Sequence, residues 1–168
     1  SLDTLGSRSV AIGHAVLQSQ NFTTATDAYN TAVGFSAGTA VTTGIQNTLI
    51  GGTAGDAITT GNYNVAVGNG ALTTLTTGSE NTAIGVSAMV NSTTCSNNVA
   101  VGGQALQSCT TGTSNVAVGH NALDANTTAD NNTAVGKDAL GANTTGAGNT
   151  AVGTIALDAI TTSSNNTA

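Results

Sequence analysis

Apolar and polar positions along this chain recur with a period of 17 residues, and the consensus unit reads N-[TV]-A-[VI]-G-x-x-A-L-x-x-x-T-T-G-x-x. Asn30, Asn47, Asn64, Asn81, Asn98, Asn115, Asn132, Asn149 and Asn166 head the units. Four residues later stand Gly34, Gly51, Gly68, Gly85, Gly102, Gly119, Gly136 and Gly153. A fixed period this short marks an array of small identical units. Seventeen residues cannot hold two helices, and Thr, Val, Asn and Gly are poor helix formers. The pattern predicts an all-β fold, a β-solenoid or parallel β-roll whose 17-residue coils each carry two short strands and two turns. The first strand is Val65-Ala66-Val67 or Thr133-Ala134-Val135, and the second lies around Ala71-Leu72 or Ala139-Leu140. The glycine between them calls for a tight turn or a close backbone approach. Thr-Thr-Gly reads as the second turn, with its glycine at positive φ. Coils stacked about 4.8 Å apart would make nine of them a rod of roughly 43 Å.

Each unit position becomes a ladder along that rod. The fourth holds Ile12, Val33, Ile50, Val67, Ile84, Val101, Val118, Val135 and Val152, and β-branched residues suit a buried strand. This ladder is expected to be the core, joined by Leu17, Leu72, Met89, Leu106, Leu123, Leu140 and Leu157 at the ninth position, which Gly38 and Gly55 interrupt. The third position is alanine except at Leu49. Strand residues alternate faces, so the alanine ladder is expected to point outward as a flat apolar surface. A strand apolar on both faces is usually buried on both, and a thin roll buries only one, so the other face implies a second chain. The asparagines are read as structural, stacked side chains bonded to one another and to turn backbone.

The array forms a single domain over 1–168. Eight units of one length cover 30–165; the unit at 9–29 is four residues longer. Residues 1–8 read as the end of a preceding unit, with Thr4-Leu5-Gly6 where others have Thr-Thr-Gly, and 166–168 as the start of a further one. With no polar capping segment in sight, the expectation is a slice of a longer array, or one whose ends other chains cover.

Composition narrows the function. Charged residues make up 6% and the net charge is −6, with Arg8 and Lys137 the only cations. Contact with phosphates or anionic membranes needs many more. Neither nucleic acid nor membrane insertion is expected, and no apolar run reaches the length of a membrane span. Apolar residues recur in register, which argues against disorder.

Candidate chemistry is sparse. His14 and His120 share the variable sixth position, six coils and about 30 Å apart, too far for a common metal. Asp124 and Asp158 share the tenth position two coils apart, with Gly141 between. No cofactor, metal or catalytic set is specified, and the chain is not expected to be an enzyme. Cys95 and Cys109 fall at the fifteenth and twelfth positions of adjacent units, ends of one turn, and a disulfide between them stays open. Sequons at Asn21, Asn91, Asn126, Asn131, Asn143 and Asn165 fit the Asn- and Thr-rich composition. Paired threonines such as Thr76/Thr77 and Thr144/Thr145 form either a turn ladder or an ice-binding face, on which one threonine per coil could face ice.

Ser9-Val10-Ala11-Ile12-Gly13, Asn81-Thr82-Ala83-Ile84-Gly85 and Asn98-Val99-Ala100-Val101-Gly102 resemble the head repeats of trimeric autotransporter adhesins, the YadA-like head, and similar repeats of some phage tail fibres. The likeness covers the S/N-x-A-[VI]-G-x-x-A half of every unit. This unit is a few residues longer than the familiar head repeat, whose pattern lacks the regular Thr-Thr-Gly. The resemblance implies a left-handed parallel β-roll, three chains associated along an axis, and attachment to host surfaces. The expected function is therefore a structural, extracellular fibre segment of an adhesin or tail fibre, at a cell surface or on a virion, attaching to or presenting a binding tip to a host receptor or glycan. Alternatives are a subunit of a self-assembling solenoid filament, joined end to end, and the ice-binding solenoid. Binding along the shaft would fall to the sixth, seventh, sixteenth and seventeenth positions, which vary most.

Overall fold

A computed structural model describes residues 6–168; the Thr4 and Leu5 part of the preceding-unit reading lies outside the described residues. Among the described residues the chain is a β-solenoid. Strands β1 (Gly6–Ser7) and β3 (Thr26–Asp27) pair with each other at the start. The main sheet contains β2 (Val10–Ile12), β4 (Thr31–Val33), β5 (Thr48–Ile50), β6 (Val65–Val67), β7 (Thr82–Ile84), β8 (Val99–Val101), β9 (Val116–Val118), β10 (Thr133–Val135) and β11 (Thr150–Val152). These nine are parallel and lie in sequence order, β11-β10-β9-β8-β7-β6-β5-β4-β2. Register follows the repeat: Thr133 pairs Thr150, Ala134 pairs Ala151 and Val135 pairs Val152. The longer first unit tucks Phe22 and Gln20 inside, and the Gln20 carboxamide oxygen accepts a hydrogen bond from Asn30 Nδ2.

Each 17-residue coil has one strand, not two. The segment around Ala71-Leu72 is a run of turns with left-handed residues at the seventh and ninth positions, such as Ser87 (φ 57°) and Met89 (φ 52°). It still stacks through hydrogen bonds. Ser87 N–H donates to Asn69 O of the preceding coil (3.0 Å), whereas Met89 N–H donates to Ala105 O of the next (3.0 Å). Bonds between coils thus run both up and down the axis, while the N–H groups between them, such as Ala88 to Gly85 O (3.3 Å), close turns within the coil. Left-handed backbone costs a non-glycine residue roughly 1 kcal/mol or more, offset here by backbone groups that would otherwise be buried without partners.

The two glycines of the unit serve different ends. Gly85 has φ 139°, and a Cβ there would lie 2.4 Å from Gly102 O of the next coil, so conformation and space both demand glycine. The Thr-Thr-Gly glycine does not supply a positive φ. A Cβ on Gly61 would stand 2.3 Å from Gly78 O, so close stacking favours glycine there, although Cys95, Ala129 and Ser163 hold the same position in other coils. The left-handed residue of that corner falls two positions later, at Gln46, Tyr63, Glu80 and Asn97.

The strand faces are the reverse of the sequence expectation. The alanine ladder from Ala32 to Ala151, with Leu49, is fully buried; only Ala11 on the first rung is exposed. The Val/Ile ladder faces out, with Ile50 and Ile84 each 39% exposed. The reason is the width of the coil. A three-residue strand faces a turn across a space one large side chain deep. Leucine or methionine from the ninth position fills that space, and only alanine fits opposite. Leu49 proves the rule: a Cβ on Gly38 would meet its Cδ1 at 2.7 Å, and one on Gly55 its Cδ2 at 2.7 Å. One leucine from the strand replaces the two missing from the turn.

A second buried column runs along the twelfth position. It is apolar at Val41, Ile58 and Leu75, then polar at Ser92, Cys109, Asn126 and Asn143. Asn126 and Asn143 donate through Nδ2 to Ala129 O (3.1 Å) and Gly146 O (2.9 Å).

Candidate interaction surface

The outward side of the sheet is the most regular surface of the rod. Its fourth-position row is valine or isoleucine on all nine strands, and its second-position row is threonine or valine, from Val10 and Thr31 to Thr133 and Thr150. No charge falls on either row. Parallel pairing holds the side chains in two straight files, rung over rung. β-Branched residues have few rotamers and so present a stiff surface.

Variable residues border this strip. Beyond the Gly34–Gly153 ladder lie His14, Phe35, Asn69, Val86, His120 and Lys137, all exposed. His14 and Phe35, on adjacent coils, stack with ring centroids 5.4 Å apart and planes 8° apart. On the other border lie Tyr29, Gln46, Tyr63, Glu80, Asn97, Ser114 and Asn131, also exposed. Arg8 bonds the Tyr29 hydroxyl, lies over its ring at 5.5 Å and pairs with Asp27 at 3.0 Å. The sixteenth position mainly braces neighbouring coils: Thr113 N–H donates to Asp130 Oδ1 (2.7 Å) and Asn62 N–H to Ser79 Oγ (3.0 Å).

The asparagines lie inside. Asn81 Nδ2 donates to Cys95 O of its own coil (2.8 Å), and its N and Nδ2 donate to Asn64 Oδ1 (3.1 and 3.0 Å). The pattern repeats from Asn47 to Asn149, every member buried, so no carboxamide in the file is free for a ligand.

The first threonine of each pair is also committed. Thr59, Thr76, Thr93, Thr110, Thr127 and Thr144 each donate through Oγ1 to the carbonyl oxygen of the same position on the next coil, at 3.0–3.1 Å. The second threonines, such as Thr77 and Thr128, form a single exposed rank.

The remaining candidates stay apart. No group of three or more His, Cys, Asp or Glu among the described residues could hold a metal ion. Burial raises the Asp124 carboxyl above its usual range, while the neighbouring Lys137 lowers that of Asp138. Asn126 and Asn143 are buried as sequons, whereas Asn21, Asn91, Asn131 and Asn165 are exposed. Cys95 and Cys109 are both buried free thiols. Among the described residues, no helix is long and apolar enough to cross a membrane.

No protein-family model matches the chain, and no match is found among the curated proteins or among the solved structures.

Proposed function

We propose that this chain is a segment of an extracellular structural fibre, an adhesin or tail-fibre shaft, in which rods associate side by side as a trimer and present a binding element to a host surface. The observation that carries this reading is the outward Val/Ile row. Its nine members admit no polar residue, although none of them is buried in the single chain. A solvated row would tolerate threonine, as the adjacent row does.

The occupant that fits is further copies of this chain. A partner in contact along the whole strip must repeat with the same rise per coil, and must itself be apolar and uncharged there. The strip is about 40 Å long and about 10 Å wide. Two strips pressed together would cover roughly 800 Å², short of the roughly 1,000 Å² typical of a specific interface. A three-fold arrangement turns the strips toward one axis and adds a bordering row to each contact. The other bordering row stays outside, where its changes from coil to coil can serve recognition.

Light scattering or sedimentation tests this directly. The expected mass is three times the 16.1 kDa of the chain. Val101→Asp with Val118→Asp should lower it to one chain while leaving the circular dichroism of the solenoid unchanged. A wild-type monomer at every concentration would end the fibre reading, and open-ended polymers would replace the trimer with a filament.

A further inference from the structure

We propose that Cys95 and Cys109 form a built-in dithiol that closes into a disulfide strap between two consecutive coils. The geometry starts from the fifteenth position, where Cys95 stands in place of the usual glycine. One coil earlier, a Cβ at that position would meet Leu75 Cδ1 at 2.6 Å and Cys95 O at 2.0 Å. A side chain there points at the twelfth position of its own coil and along the axis toward the next. In the Cys95 coil the twelfth position shrinks to Ser92, which opens the space that leucine fills elsewhere. The twelfth position of the next coil is Cys109, whose Sγ lies 3.4 Å from Gly112 O, the carbonyl directly above Cys95 in the stack. The two sulfurs thus converge on one space, both fully buried. The proximity of the two thiols lowers the Cys95 thiol below its ordinary range and, together with burial, raises that of Cys109 well above it.

One of the two cysteine thiolates attacks a low-molecular-weight disulfide RSSR, forming a mixed disulfide and releasing one RS⁻. The other cysteine gives its proton to the released thiolate, and its sulfur attacks the first cysteine's Sγ, expelling the second RS⁻, which takes up the first cysteine's proton from solvent. Two protein S–H bonds and one S–S bond are lost. One protein S–S bond and two RSH form, and two electrons pass to the oxidant. Because neither sulfur is exposed in the closed rod, the reaction belongs to folding, before these coils stack. Once made, the strap is shielded from reductants by the same packing.

Refolding the full chain from denaturant with oxidised and reduced glutathione tests the proposal, with circular dichroism to verify the fold. Alkylation in denaturant and intact mass should then show the loss of two hydrogen atoms, no alkyl adduct, and a linked peptide pair containing Cys95 and Cys109. The oxidised protein should unfold at a higher midpoint than its reduced form, a difference that Cys109→Ser abolishes. Reduction should be faster in denaturant than in the folded rod. Folded protein in which both cysteines still alkylate after oxidative refolding would overturn the strap, as would disulfides found only between molecules. Cys95→Gly, which restores the usual residue, controls for a fold disturbed by substitution.

Discussion

On the inner face of the sheet every rung but one is alanine, and the exception, Leu49, is matched across the interior by Gly38 and Gly55. On the outer face threonine and valine replace one another along the second position with no answering change elsewhere. The strands and spacing are the same, yet the two faces follow different rules. Inside, volume is fixed by a facing side chain, so a change in one position needs a second change to compensate. Outside, only character is fixed, and at the fourth position it is fixed as apolar. Interiors pack at crystal density, which is why the first rule exists. The second rule is what the proposed side-by-side contact requires.

Substitutions that move volume from one face to the other should break this contrast most sharply. Ala134→Leu places a leucine between Leu123 and Leu140 and should cost about 2–3 kcal/mol, read as a lower urea midpoint. Adding Leu123→Gly and Leu140→Gly rebuilds the Leu49 arrangement. The triple variant should be more stable than either Ala134→Leu or the glycine pair alone, a coupling that additive effects would not give. If Ala134→Leu is tolerated by itself, the alanine row is not the core.

Next comes the file of carboxamides. Asn98→Ala removes the bonds to Gly112 O (2.9 Å) and Asn81 Oδ1 (3.3 Å), leaves the backbone N–H of Asn115 without an acceptor, and leaves Asn115 Nδ2 with Ala129 O alone. A loss of about 2 kcal/mol is expected in the same assay. The outer face should be far more forgiving. Val99→Thr repeats an exchange already present on other rungs, and should move the midpoint by less than about 0.5 kcal/mol when measured in a monomeric background.

The smallest effect belongs to neither face. Burial raises the Asp56 carboxyl, and its Oδ1 lacks a hydrogen-bond partner. A raised folded value means folding favours the protonated form. Stability therefore rises as pH falls through that value toward the ordinary carboxylate range, and the charged form is a liability above it. Asp56→Asn should raise the unfolding midpoint slightly near neutral pH, and the gain should vanish below about pH 4.

Much of the architecture was legible in the sequence. The unbroken spacing from Asn30 to Asn149 gave the coil, its length and the parallel register. Which face of the strand lies inside is hidden from residue preference, because β-branched residues favour burial of the Val/Ile row whereas the width of the lumen decides for alanine. The deciding signal was present all the same: the only departure from alanine, Leu49, coincides with the only glycines of the ninth position. The turn at Ala71-Leu72 passed for a strand because it bonds to both neighbouring coils, as a strand does, while leucine at positive φ violates residue preference. The thiol pair was half visible. Spacing brought Cys95 and Cys109 to one turn, but the room made by Ser92 appears only when the coils are stacked.

The two internal files of hydrogen bonds point in opposite directions. Most carboxamides of the buried file donate toward the preceding coil, as Asn47 does to Asn30 Oδ1 (3.2 Å), whereas the first threonines of the Thr-Thr pairs donate toward the following one, as Thr59 does to Thr76 O. A single file of aligned dipoles would add up along the rod, as they do in a helix. Counter-running files cancel much of that sum. An array built this way can be lengthened coil by coil without accumulating opposite partial charges at its two ends, so each added repeat meets nearly the same field as the one before it.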